Sequence, residues 1–170
     1  APGIGDSTNY RSCSGFQCVI AQVPQITVTL SSNAINLGAL SGGSVSKASH
    51  DISVTTNVGG YTTRVVEDGA HRDGAATIDQ VGDGAVTAGS EEYGLATTQA
   101  GRDISQDADC LNPPYTASPI TGTPQSVASK SGPTYTAETT TLCYAASINT
   151  ATTAAGTYQQ VLTYITTGSF

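Results

Sequence analysis

His50 and His71 are the only side chains of the chain whose ordinary pKa lies close to neutrality. Acid–base chemistry at neutral pH would run through one of them, or through a carboxylate whose pKa is raised by its surroundings. Neither histidine sits in a recognisable motif. A Ser–His–Asp set can be drawn in any chain this rich in serine, and the Gly-X-Ser-X-Gly elbow that presents a nucleophile is absent. His50 falls in a strand-like run, where a local polar partner is the simpler expectation. We expect no enzyme and no catalytic residue.

A second kind of chemistry would use the carboxylates Glu67, Asp68, Asp73, Asp79 and Asp83. Calcium takes six to eight oxygens, which loop carboxylates and carbonyls can supply, so Asp68, Asp73, Asp79 and Asp83 are weak calcium candidates. The Asp-Gly pairs at 68–69, 73–74 and 83–84 are also ordinary turn chemistry, because Asp bonds its own backbone and Gly accepts positive φ. No EF-hand loop is spelled out. Turns are therefore expected in preference to metal, with no cofactor. Asp103, Asp107 and Asp109 form a still weaker second group.

Tyr61, Tyr93, Tyr144, Tyr158 and Tyr164 could offer aromatic faces to a sugar ring, which makes a glycan a candidate partner. Most of them fall at strand positions, and cross-strand packing explains them as well.

Four cysteines remain: Cys13, Cys18, Cys110 and Cys143. Structural zinc wants closely spaced ligand pairs, and Cys110 and Cys143 have neither a paired cysteine nor a nearby histidine. The sequence begins Ala-Pro-Gly without Met, as after removal of a signal peptide. An even cysteine count in that setting reads as two disulfides in an oxidising compartment. Of the three possible pairings we expect Cys13–Cys18 as a local clip and Cys110–Cys143 tying a long loop to a late strand. The expected location is secreted, extracellular or on a cell surface.

The elements that must carry these groups are legible as strands. The chain has 170 residues, of which 38% are apolar and only 11% charged, and it lacks Met and Trp. Thr and Ser supply roughly a quarter of it, well above ordinary usage. Val, Ile, Thr and Tyr recur in short alternating runs, as half-buried strands require. The net charge of −7 leaves no basic stripe for nucleic acid. No apolar run approaches the roughly 20 residues that span a bilayer, so no membrane insertion is expected.

Residues 1–15 are turn formers. From Phe16 the chain reads as extended, with Phe16, Cys18 and Ile20 on one face and Val19, Ala21 and Val23 on the other. Pro24 interrupts it, and Ile26, Val28 and Leu30 then alternate with Thr27 and Thr29. Ile52 and Val54, the Gly59-Gly60 turn and Tyr61 to Val66 read as a hairpin. Tyr93 to Thr98, Ser126 to Ser129, Glu138 to Ile148 and Tyr158 to Thr167 complete the set. The last has apolar groups on both faces, which predicts an interior strand. Residues 100–124 read as a long loop, and no amphipathic helix is evident. Eight to ten short strands give an all-β, immunoglobulin-like or jelly-roll β-sandwich over 26–170, with an N-terminal strand-like extension over 1–25.

Several segments together resemble secreted bacterial β-sandwich surface domains of the kind found in cell-wall-associated proteins and fibre- or pilus-forming subunits. They are Asn36-Leu37-Gly38-Ala39-Leu40-Ser41, SHDISVTTNVGGYTTRVVEDG at 49–69, Glu92-Tyr93-Gly94-Leu95 and AAGTYQQVLTYITTGSF at 154–170. The resemblance covers roughly residues 26–170, and the CSGFQC portion stands outside it. It implies a β-sandwich exposed at a cell surface. Together with the extension, it leads to a structural subunit of an extracellular filament or pilus, a homopolymer joined head to tail by strand donation. The candidate donor strand comprises Phe16, Cys18, Val19, Ile20, Ala21 and Val23. The alternative is a monomeric cell-surface adhesion or glycan-binding module.

Overall fold

The computed structural model describes the backbone of residues 6–7, 10–13 and 16–19, and the chain from 23 onward except 111, 155 and 170. Side chains are described from Val23 on. The described residues form strands and loops only. In chain order the strands are β1 (Asp6–Ser7), β2 (Tyr10–Cys13), β3 (Phe16–Val19), β4 (Ile26–Leu30), β5 (Ser46–Thr56) and β6 (Gly60–Glu67). They continue with β7 (His71–Asp73), β8 (Ala76–Ile78), β9 (Glu92–Thr97), β10 (Gln125–Ser131), β11 (Thr134–Ser147) and β12 (Leu162–Ser169). No helix among them is long and apolar enough to cross a membrane.

All ladders between named strands are antiparallel. One sheet has the order β4-β5-β11-β9 and a second the order β10-β6-β12, while β7 and β8 make a small hairpin. The alternation read from the sequence sets the inward faces. His50, Ile52, Val54 and Thr56 of β5 are buried in phase, as are Tyr61, Thr63 and Val65 of β6. Of these, Ile52, Val54, Tyr61 and Val65 join Tyr93, Leu95, Leu142 and Tyr144 in one core shared by the two sheets. A register shift between Ser126 and Ala128 of β10 breaks the alternation there, and Val127 and Ala128 are both buried.

The expected hairpin at 52–66 is not formed, because β5 and β6 belong to different sheets. The switch takes three residues, 57–59. Asn57 N–H donates to the Gln25 carbonyl, ending the β4–β5 side, and Gly59 N–H donates to the Ser169 carbonyl of the other sheet. Gly60, at φ +137°, makes this corner possible: a Cβ there would lie 2.3 Å from the Lys130 carbonyl oxygen. The return crossing from β10 to β11 passes alongside, with Gly132 N–H donating to the Gly59 carbonyl at 2.7 Å.

The expectation of an interior final strand is also corrected. β12 pairs with β6 alone among the described strands and is an edge. Leu162 and Tyr164 turn toward the core, while Val161 and Ile165 remain exposed. Apolar groups on both faces came from one covered and one open face.

The long 98–124 segment carries no named strand; it hydrogen-bonds along the edge of β9 through Ser105, Asp107 and Ser118, sends Ile104 and Ile120 into the shared core, and brings Ala117 against β11. There Ala145 and Ala117 pack with Val81 and Val86 in a second small core. Gly94 permits this approach, since a Cβ would stand 2.6 Å from Val81 Cγ1 and 2.8 Å from Ala117 Cβ. The Cys110–Cys143 disulfide ties the same segment to β11.

Residues ahead of β4 make their own sheet, β1-β2-β3, in which Phe16–Val19 pairs with Tyr10–Cys13. Ile20 and Ala21 of the candidate donor strand lie outside the described residues. So do the side chains of Phe16, Cys18 and Val19, and with Cys13 the expected Cys13–Cys18 bridge.

Candidate functional site

The two sheets are joined along one side and parted along the other. On the joined side Thr97 Oγ1 of β9 donates to the Val127 carbonyl of β10 at 2.7 Å, and Ser129 N–H donates to Gln99 Oε1 at 2.6 Å. On the other side the edge strands are β4 and β12, and among the described residues no ladder joins them. β4 is paired with β5 in the register Ile26↔Thr56, Val28↔Val54 and Leu30↔Ile52. Residues opposite each other in a ladder point to the same face. The apolar row of β4 therefore points inward with the buried row of β5, yet its members stay 38%, 40% and 42% exposed. Strand β4 is thus an edge whose inward apolar row lacks full cover.

At the Leu30 end this open side deepens into a cleft of about 490 Å³. Its walls come from β4 and the loop after it, from β5, β9 and β11, and from Tyr158 through β12. Both histidines and four tyrosines meet here. His50 stacks on Tyr144 with ring centroids 5.6 Å apart and meets the edge of Tyr164 at 5.5 Å. His71 stands edge-on to Tyr93 at 5.0 Å, with Tyr158 beyond it at 6.3 Å. The Tyr144 hydroxyl lies 3.2 Å from His50 Nδ1 and also hydrogen-bonds the Tyr164 hydroxyl.

An amide network supports the other wall. Tyr93 O–H donates to Gln160 Oε1, and Gln160 Nε2 donates to Glu67 Oε2 and to the Gly69 carbonyl. Gln80 Nε2 donates to the same carboxylate oxygen at 2.8 Å. Burial raises the Glu67 carboxyl above the ordinary range, while the two amide bonds oppose that shift.

Burial also sets the charge of the cleft. It lowers the pKa of His50, against the pull of the Asp51 charge, and that of His71. It pushes the Tyr164 phenol up to about 12 and holds Tyr93 and Tyr144 well above their usual range. At neutral pH His50, His71, Tyr93, Tyr144 and Tyr164 are uncharged, and the lining holds no Asp, Glu, Lys or Arg among the described residues. Two polar atoms in this region, His50 Nε2 and His71 Nδ1, are buried without a hydrogen-bond partner among the described residues. The arrangement offers aromatic faces and neutral donors and acceptors.

The residues singled out in the sequence fall into separate places. His50 has the local polar partner expected of it, Tyr144. Tyr93, Tyr144, Tyr158 and Tyr164 gather at the cleft, while Tyr61 lies in the core. The carboxylates at 67–83 do not converge. Asp68 pairs with Arg72 at 2.7 Å and accepts from Val161 N–H. Asp73 accepts from Thr157 N–H, and Asp83 accepts from Ala85 N–H two residues on, as in an Asp turn. No group of three or more metal-ligating side chains is present among the described residues. Val23, the one candidate donor residue with a described side chain, is 72% exposed. Gln80 and Gln160 were not anticipated, since lone amides near strand ends carry no sequence signal. His50 was readable as a wall residue from its phase with Ile52 and Val54.

Compared with models of known protein families and with curated proteins, the chain matches none.

Proposed function

We propose that the protein is a structural subunit of a secreted, extracellular filament or pilus, a β-sandwich whose copies join head to tail by strand addition. The observation that carries this reading is the β4 edge, with Ile26, Val28 and Leu30 directed inward and each about two-fifths exposed. An added strand would complete the ladder by main-chain hydrogen bonds and cover that row. Covering a side chain of this size completely stabilises by about 1.5–3 kcal/mol, and here only the exposed fraction would be gained.

The occupant is the N-terminal segment of a second copy. In the order β1-β2-β3 one edge of β3 has no ladder partner among the described strands, so β3 of one copy can continue the sheet that ends at β4 of the next. Its own copy is poorly placed to supply it. Asn57 Nδ2 donates to the Val23 carbonyl at 2.9 Å, and Gln25 N–H donates to Asn57 Oδ1 at 2.7 Å, so the chain is held in line with β4 back to Val23. A reversal at 20–22 would set Phe16–Val19 opposite residues 23–26, short of Val28 and Leu30. Joining between copies by such an open contact continues without closing on itself.

The test is Val28→Asp in the full-length chain, followed by light scattering across a concentration series. Val28 is half-exposed, so the fold tolerates the change while the apolar contact does not. Multimers in the parent and monomers in the variant are expected. A parent that stays monomeric at high concentration would overturn the reading and favour a monomeric surface module.

A further inference from the structure

The cleft at the Leu30 end of the open side has features that strand addition does not need. We propose that it is a binding site for an uncharged carbohydrate, with a pyranose ring against the tyrosine wall and its hydroxyls bonded by His50 and the neighbouring amides. The inference concerns a single copy and does not rest on assembly.

Four observations converge on this class of ligand. The lining holds no Asp, Glu, Lys or Arg, so a charged ligand would leave water without a counter-charge. Rings of His50, His71, Tyr93, Tyr144, Tyr158 and Tyr164 present apolar faces suited to the C–H side of a sugar. Asn33 and Gln159 add neutral donors and acceptors at the rim, which a purely apolar ligand would leave unpaired. The size, about 490 Å³, lies within the usual range of small-ligand sites, about 300–1,000 Å³.

The fifth observation singles out His50. The residue is 4% exposed, and its Nε2 has no partner among the described residues. Its other nitrogen, Nδ1, faces the Tyr144 hydroxyl, which is also bonded to Tyr164. If Tyr144 donates to Tyr164, Nδ1 carries the proton and Nε2 is left an acceptor. If Tyr144 donates to Nδ1, Nε2 is left a donor. A sugar hydroxyl can both donate and accept, so it satisfies either tautomer. A buried polar atom of this kind calls for a partner.

The chain holds eight tyrosines and no tryptophan, so its intrinsic fluorescence reports on tyrosine alone. Titration with lactose, maltose and N,N′-diacetylchitobiose, with glucuronic acid as the charged comparison, tests the site. At least one neutral disaccharide should give a saturable change, and glucuronic acid none. Tyr158→Ala, at a partly exposed wall position, should weaken that binding by about tenfold or more. The His50 Nε2 resonance should shift on binding, a signal that a surface contact elsewhere would not move. Should Tyr158→Ala fail to fold, Gln159→Leu on the exposed rim and the His50 resonance still decide the matter. No saturation up to about 50 mM of any neutral sugar, or equal binding of glucuronic acid, would overturn the assignment.

Discussion

The Tyr144 hydroxyl of β11 hydrogen-bonds the Tyr164 hydroxyl of β12, joining the inward faces of two sheets that share no ladder. It does so on the side where the sheets part, and His50 Nδ1 sits 3.2 Å from the same Tyr144 oxygen. Both tyrosines line the cleft.

Tyr164→Phe removes the bridge while keeping the ring. A neutral hydrogen bond contributes about 0.5–1.5 kcal/mol net, so denaturant unfolding should show a loss of that order. Tyr144→Phe should cost more, because it also strips His50 Nδ1 of its partner. Combining the two changes should cost less than their sum, since they share one bond. Strict additivity would contradict the bridge.

Stability should fall on mild acidification. The ordinary imidazole pKa is 6.5, and burial lowers both His50 and His71 below it in the folded chain. Below that pH the unfolded chain binds more protons than the folded one, so stability is full above it and is lost as pH falls through it. Glu67, raised by burial from an ordinary 4.5, acts in the opposite sense at more acidic pH. The thermal midpoint should therefore be level from about pH 8 to 7 and drop by about pH 5.5, with His50→Gln and His71→Gln each reducing the slope. A level profile through that window would contradict neutral buried histidines.

The Cys110–Cys143 disulfide closes a loop with a sequence separation of 33 residues and holds the 98–124 segment against β11. On the chain-entropy view a loop of that length is worth ~4 kcal/mol. Paired Cys110→Ser and Cys143→Ser changes should lower stability by about 2–4 kcal/mol in denaturant unfolding. Gly94→Ala tests the same cover independently, since its Cβ meets Val81 and Ala117. Overpacking of this kind costs about 1–3 kcal/mol.

Chelation should leave the thermal midpoint nearly unchanged. Asp68 is taken by Arg72 and the Val161 amide, Asp73 by the Thr157 amide, and Asp83 by its own turn. A site filled at a hundred times its dissociation constant would add about 2.7 kcal/mol, worth several degrees. A drop of that size on adding chelator would identify a calcium site in the 67–83 segment.

Strand positions were legible wherever one face is apolar and the other is Thr or Ser, as in Ile26–Leu30 and at Ile52 and Val54. Sheet membership was not. Gly59-Gly60 between two strands reads as a hairpin turn, and only the close approach of Lys130 and Gly132 shows it to be a corner between sheets. The same limit hid β12, whose outward Val161 and Ile165 look like core residues in a linear pattern. The cleft depends on both features. Tyr93, Tyr144 and Tyr164 come from three strands of two sheets, and nothing local in the chain announces that they meet.

The proposed strand addition between copies at β4 is tested most directly by negative-stain electron microscopy of the full-length protein at high concentration. Regular, unbranched filaments are expected, absent from Val28→Asp at the same concentration. Uniform single particles in the parent, or filaments of equal length and number in the variant, would contradict it.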